Sequence, residues 1–404
     1  MDKDEVTPPE ATRSEISKTT KPTIFTKLKS NKPFLIGITA AVVLILGGAV
    51  FAFTNQSEPK SNTPEQSNNG SNTQRASAAS LFLEQNGQGC KERDVAFSSA
   101  PMKMSDLNII RPLGAVNDGH VTPTDHVYVG AGTNAADNTY PVLMPANGTV
   151  INVSAMPAQY VGDRAQETAS EDHRMVISHS CRYFSIFIHI HKLSDTLRNA
   201  VGTLRPNESK NTNIELKAGD ILGYVGGQTF DWTSVDTETK LKGFISPELY
   251  EGESWKIHTV SPFDLYKEPL KSQLEAKSVR SIAPKGGKID YDQAGKLIGN
   301  WFREGSGGYS GKNDADSGGR YWDGHLTVAP DYIDPASTYV SIGNWTNDKA
   351  MQFTVKGTVD PAAVTSTTGI VKYELIRMSH VTSSGGHWAG NSHATGLKLS
   401  QDGS

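Results

Sequence analysis

The stretch Phe184–Leu193, FSIFIHIHKL, decides the fold. Successive side chains of a β-strand point to opposite faces. On that period Phe184, Ile186, Ile188 and Ile190 share one face, while Phe187, His189 and His191 share the other. Two imidazoles at i and i+2 stand about 6–7 Å apart, close enough to serve one metal ion or one metal-bound water. The same alternation recurs at Val127–Val129, Val142–Met144, Gly148–Val153, Met175–Ser178, Tyr183–Ile190 and Ile221–Val225, separated by Gly, Asn, Asp and Pro clusters. Helical periodicity is scarce, with one or two turns over Ser194–Ala200. Residues 79–275 therefore read as a mostly β domain.

Upstream of these strands a second polar cluster, Gly119–His126 (GHVTPTDH), offers imidazole, carboxylate and imidazole beside a strand. Zinc binds His nitrogen and Asp oxygen, and a catalytic zinc keeps three protein ligands and a water. Such a water is acidified to a pKa near 7, and a neighbouring His can relay its proton. The competing reading of the cluster is a turn in which Asp125 caps backbone amides. His179 lies among core positions and reads as structural, His173 as a solvated loop residue, and His258 as a strand-end hydrogen bonder.

Beyond this domain the composition sets limits. The chain has 404 residues, a formal net charge of -4 and two cysteines. That charge does not suit a nucleic-acid-binding protein, and two thiols suit neither a disulfide-dense scaffold nor a four-thiolate zinc ribbon. There is no phosphate loop of the G-x-x-x-x-G-K-[ST] type. One long apolar run stands out, Phe34–Phe53 (FLIGITAAVVLILGGAVFAF), with no charge in it. Twenty helical residues at about 1.5 Å each match a bilayer core of about 30 Å. Lys27, Lys29 and Lys32 precede it, and a nearly neutral segment follows. The excess of cytoplasmic Lys and Arg then places residues 1–33 inside and the bulk outside the cell. A cleaved signal peptide is the alternative, against which stand the long basic region and the length of the apolar run. Residues 1–33 read as a disordered cytoplasmic tail, 34–53 as a single-pass membrane helix, and 54–78, rich in Ser, Asn, Gln and Pro, as a flexible linker. Outside a membrane, Cys90 and Cys181 are expected to pair as a disulfide; two buried free thiols are the other possibility.

Taken in order, these pieces resemble the LytM/lysostaphin-type zinc metallopeptidases, which cut the peptide cross-links of bacterial cell walls on a split β-sheet, or half-barrel, fold. His120 followed by Asp125 resembles that family's first metal-ligand pair. Pro145–Val150 (PANGTV) is similar to its Pro-Ala-x-Gly-x-Val strand. Met175–Ser180 with Tyr183–Leu193 is similar to its central hairpin, Lys217–Gly226 to its Lys-x-Gly segment, and Ser261–Tyr266 to the end of its domain. The likeness covers roughly residues 108–267, and biotinyl- and lipoyl-type folds share its scaffold motifs. It implies zinc on His120, Asp125 and Asp231, with His189 or His191 as the catalytic imidazole. Two departures accompany it. Four residues, not three, separate His120 from Asp125, and the final His-x-His is missing, Asp231 standing where its zinc ligand would fall. The implied activity is a membrane-anchored zinc endopeptidase acting on wall peptide. The alternative is an inactive scaffold that binds wall peptide, glycan or a protein partner.

Downstream, Pro284–Gly287 reads as a hinge after a charged stretch, Lys267–Arg280, of helical character. Residues 284–380 then carry short β-like runs that suggest a small sandwich or barrel. Trp301 is expected to plug its core. Trp322, Trp345 and Trp388 are aromatics that either fill cores or stack on sugars. Asn313–Gly318 lacks the carboxylates of a calcium loop. Residues 381–404, with His387 and His393 among Gly and Ser, read as a flexible tail.

Overall fold

Alternating strands need partners to bury their apolar faces, and the chain supplies them antiparallel throughout. The computed structural model describes residues 90–404 apart from 133–135, 157–159, 162–163, 166–170, 312–319, 347–348, 358 and 403–404. These residues are mostly β, arranged in several antiparallel sheets. The expected tail, membrane helix and linker of residues 1–78, and the loop Asn313–Gly318, lie outside them. Among the described residues no helix is long and apolar enough to cross a membrane.

The principal sheet runs β1 (Ile109–Arg111), β2 (Val127–Gly130), β12 (Phe230–Asp236), β8 (Tyr183–Ile190), β7 (His173–Ser178), β4 (Gly148–Ala155), β10 (Ser209–Leu216), with β13 (Thr259–Val260) also on β12. A smaller sheet joins β3 (Tyr140–Leu143), β11 (Ile221–Val225) and β9 (Lys192–Leu193). Between them the inward side chains form one core: Val127, Val129, Phe187, Phe230, Trp232, Met175 and Ile177 from the large sheet meet Val142, Met144, Leu222 and Val225. Register Trp232↔Phe187 stacks those rings at 5.7 Å with 8° between their planes. Short β5 (Tyr160–Val161) and β6 (Arg164–Ala165) form a ribbon. Helix α1 (Asp195–Val201) is capped by Ser194, and α2 (Leu270–Glu275) takes up the middle of the stretch expected to be helical.

The alternation read from FSIFIHIHKL holds only as far as Ile188. Phe184, Ile186 and Val235 pack together on the second face, with Ile188 against them. Between the pairs Met175↔Phe187 and His173↔Ile190, β8 carries one more residue than β7. His189 takes the strain with φ 69, a value a bulky residue rarely adopts. This bulge switches the parity of the strand: Ile190 joins Phe187 in the first core, and His189 turns towards the face of Ile188.

Cys90 and Cys181 are joined, which ties the N-terminal arm to the turn between β7 and β8. Under that turn His179 is fully buried. Its Nδ1 donates to the Asn147 carbonyl at 3.1 Å, so Nε2 accepts from Ser185 Oγ at 2.9 Å, which in turn accepts from Trp232 Nε1 at 3.2 Å. The whole donor chain is thus directional and satisfied.

The distal strands are β14 (Gly299–Phe302), β15 (His325–Pro330), β16 (Thr338–Thr346), β17 (Lys349–Lys356) and β18 (Glu374–Arg377), an antiparallel sheet in that order. Several expectations for this region need correction. Pro284–Gly287 is not a hinge: Leu113 N donates to Gly286 O at 3.0 Å, and Gly287, at φ 87, lies against Leu113. Ile289 and Tyr309 belong to the principal core, and Ile109, Ala115 and Tyr128 pack with Tyr332, Ile333, Trp388 and Leu397. Trp301 stands 42% exposed. The register turns its neighbours inward instead, Asn300 donating to Tyr250 Oη at 3.0 Å and accepting from Thr327. The C-terminal residues are clasped. β19 (His380–Val381) pairs with β20 (Lys398–Leu399), Asp331 holds His380 at 3.0 Å, and Asp334 receives Lys398 Nζ and the Leu399 amide.

Burial holds the His179 pKa down at about 4, against the ordinary imidazole value of 6.5. The unfolded chain therefore takes up the proton first as pH falls. Stability from this ring is complete above pH 6.5 and is lost between there and about pH 4. His179→Ala is expected to cost about 1–3 kcal/mol at pH 7.5, measured by urea unfolding. The gap between the two proteins should narrow at pH 4.5, and a gap that stays constant contradicts the neutral buried ring.

Candidate acid–imidazole site

The bulge at His189 and the register of β12 place four polar residues side by side on four neighbouring strands. Asp231, on β12, lies opposite Tyr128 of β2 and Ile188 of β8. His126 immediately precedes β2 and Asp172 immediately precedes β7. From one edge to the other the contacts run as follows. Trp255 Nε1 donates to Asp125 Oδ2 at 2.9 Å, and Asp125 Oδ1 meets His126 Nδ1 at 3.2 Å. His126 Nε2 lies 3.3 Å from Asp231 Oδ2, which lies 3.6 Å from His189 Nε2. His189 Nδ1 meets Asp172 Oδ2 at 2.9 Å. Three carboxylates and two imidazoles thus alternate along one row.

An ionised carboxylate only accepts hydrogen bonds. The contacts with hydrogen-bond geometry lie on the Nδ1 side, to Asp125 and Asp172, and so assign a neutral ring's proton to Nδ1. That assignment turns Nε2 of both rings towards the same oxygen of Asp231. In neutral rings the two Nε2 atoms then present lone pairs to the Asp231 carboxylate, an arrangement that demands positive charge in the gap. Burial alone pushes the His126 pKa down, but Asp231 and Asp125 outweigh it and hold it above the ordinary value. His189 is raised likewise, with burial opposed by Asp172 and Asp231. Burial raises Asp231 despite the two rings. Asp125 goes the other way: burial is overcome by the Lys256 charge and by the bonds from His126 and Trp255. His120, packed edge-on to His126 at 5.5 Å, is pulled down to about 3 by burial and by His126 and Lys256.

The segment Pro247–His258 roofs one end of the row. Its Lys256 is almost wholly buried, with the ammonium 4.5 Å from the Tyr309 ring. The loop that carries His120 is held from the distal side: Gln352 donates to the Asp118 carbonyl at 3.1 Å, and Gly119 lies so close to Trp322 that a Cβ there would come within 2.9 Å of the ring. Asp125, His126 and Asp231 are buried, whereas the His189 side chain is 39% exposed. His189 is the member of the row most open to solvent.

Of the residues expected from the sequence, His120, Asp125, Asp231 and His189 do gather here. His191 does not: its backbone amide pairs with Tyr224 O, and no hydrogen bond or ion pair joins its ring to the row among the described residues. β8 ends at Ile190, and at His191 the chain passes to the smaller sheet, where β9 follows. Asp125 is not poised as a ligand, because both its oxygens are engaged. Among the described residues no three His, Cys, Asp or Glu side chains already surround a common point at metal-binding geometry. His173 is buried in β7 and donates from Nδ1 to Ile190 O at 2.9 Å, contrary to the solvated loop expected. Asp172, Trp255 and Lys256 escaped sequence reasoning. Only the acid–imidazole pair in EDH, residues 171–173, signalled Asp172. No protein-family model matches this sequence, and no curated protein matches it.

The raised rings contribute stability that is fully present below pH 6.5 and is lost as pH rises through their folded-state values. Asp231→Asn should therefore cost about 1–3 kcal/mol at pH 6, where it removes the partner of two imidazoliums. At pH 9, with chelator present, the penalty should vanish, since an amide can donate to both rings. Urea unfolding at the two pH values checks this, and an equal penalty at both contradicts the proton assignment.

Proposed function

We propose that the chain is a single-pass envelope protein, N-terminus in the cytoplasm, whose outer β region acts on or binds cell-wall peptide at the acid–imidazole row. The likeness of residues 108–267 to the LytM/lysostaphin-type peptidases supports this reading. So does the place of the row, on the strands where that likeness puts a hydrolytic centre. The observation that carries it is a buried polar chain in which one member, His189, is open to solvent.

The chemistry follows from the residues. Asp172 fixes the His189 tautomer and leaves Nε2 as the nitrogen that takes a proton from an attacking water and returns it to a leaving amine. Asp231 steadies the imidazolium so formed. Asp125 and Lys256 offset one another beneath His126. Zinc is the cofactor the likeness implies, on His120, Asp125 and Asp231. That trio does not fit, since Asp125 is spent on His126 and Trp255 and the His120 ring lies edge-on to His126. No step is routed through zinc held there. Burial of Asp125, His126 and Asp231 favours the second reading, a module that binds wall peptide or glycan without cutting it.

The test is incubation of the full chain with purified cross-linked wall peptide, scoring bound peptide and newly exposed amines. Cleavage that falls about 10²–10⁴-fold in His189→Ala, with binding kept, supports the hydrolase. Binding without cleavage supports the module. The absence of both binding and cleavage contradicts the wall-directed proposal.

A further inference from the structure

We infer that His126, His189 and Asp231 bind one divalent transition cation in the gap between the carboxylate and the two rings. This set shares only Asp231 with the His120, Asp125 and Asp231 trio. It rests on the geometry of the row and not on the wall-directed reading, and with the ion bound His189 Nε2 is a ligand and not a free general base.

Three observations carry it. The first is spacing. Asp231 Oδ2 lies 3.3 Å from His126 Nε2 and 3.6 Å from His189 Nε2. Two ligands each about 2.0–2.2 Å from one tetrahedral ion stand about 3.3–3.6 Å from each other. The second is the backing of the rings. Metal-binding imidazoles characteristically donate their other nitrogen to a carboxylate, which fixes the ring and its tautomer. Asp125 does this for His126 and Asp172 for His189, leaving both Nε2 atoms as donors to the ion. The third is unsatisfied polarity. Asp231 Oδ1 and His126 Nε2 are buried without a hydrogen-bond partner, in side chains only 6% and 7% exposed. A buried acceptor left so is costly, and a cation in the gap engages His126 Nε2 directly and the Asp231 carboxylate through Oδ2. Two imidazoles and one carboxylate favour zinc or its neighbours over calcium or magnesium, which prefer all-oxygen sets.

Among the described residues the ligands do not yet enclose a common point. His189 is the member that must turn inward. It sits on the bulge with its side chain 39% exposed, whereas His126 and Asp231 are held in the packed sheet.

Zinc titration of the metal-free full chain by calorimetry, with elemental analysis, tests the site. One zinc per chain is expected. His126→Gln, His189→Gln and Asp231→Asn should each abolish binding, and Asp125→Asn and Asp172→Asn should weaken it about 10–100-fold. His120→Gln should leave it within about 3-fold, well short of that loss. Cobalt(II) added to the unaltered protein gives a second readout that needs no variant: visible absorption bands of nitrogen and oxygen coordination are expected. Absence of zinc binding and of cobalt bands overturns the inference. So does binding that survives Asp231→Asn, or that is lost in His120→Gln while His189→Gln retains it. Failure of wall-peptide cleavage alone leaves the zinc result standing, so the two proposals fail separately.

Discussion

Asp231 held between two imidazoles is the constraint around which the principal sheet is built. A carboxylate on a central strand is expensive to bury. It is tolerated here because β2 and β8, on either side of β12, each bring a histidine to the same oxygen. The bulge at His189 is what makes this possible: without the extra residue, strict alternation would carry His189 to the opposite face from Ile188, into the core occupied by Phe187 and Trp232. Local strain in the backbone of one residue thus aligns a charge network across four strands. Strained positive-φ residues at functional sites are a recurrent arrangement.

The apolar face beneath the row supplies the stiffness. Phe187 and Trp232 stack across the β8–β12 register, so the strands that carry His189 and Asp231 cannot slip without unstacking those rings. The polar chain from Trp232 through Ser185 to His179 fastens the far side of the same strands. From above, the distal β region steadies the His120 loop through Gln352 and Trp322, while Tyr309 receives Lys256. The distal residues are therefore part of the support of the row and share cores with the principal sheet.

Much of this was legible in the residues. Alternation located β2, β3, β4, β7, β8 and β11, and the even pair of cysteines predicted the disulfide that is formed. His120, Asp125, Asp231 and His189 were singled out, and they do meet. What escaped has physical causes. β12, FDWTSVD, mixes Asp, Thr and Ser with Phe, Trp and Val, so its central place follows from its neighbours and not from its own hydrophobicity. A one-residue bulge leaves no mark in composition, yet it decides on which face His189 stands, and the end of β8 at Ile190 carries His191 away to the smaller sheet. Asp172 becomes a partner of His189 only through the pairing of β7 with β8. Trp301 faces solvent, and does not plug the core, because parity, not ring size, determines which side of a strand faces inward. The clasp of residues 380–400 depends on Asp331 and Asp334, far away in sequence.

The central claim is that both rings of the row carry their protons on Nδ1 and turn Nε2 to Asp231. Nitrogen-15 NMR of the histidine side chains in the metal-free protein at pH 9 addresses it directly. The account predicts that His126 and His189 both titrate late and show the Nδ1–H tautomer once neutral, with slowly exchanging protons shifted by their carboxylate partners. Two rings in the ordinary Nε2–H tautomer, or free exchange at His126, would contradict it.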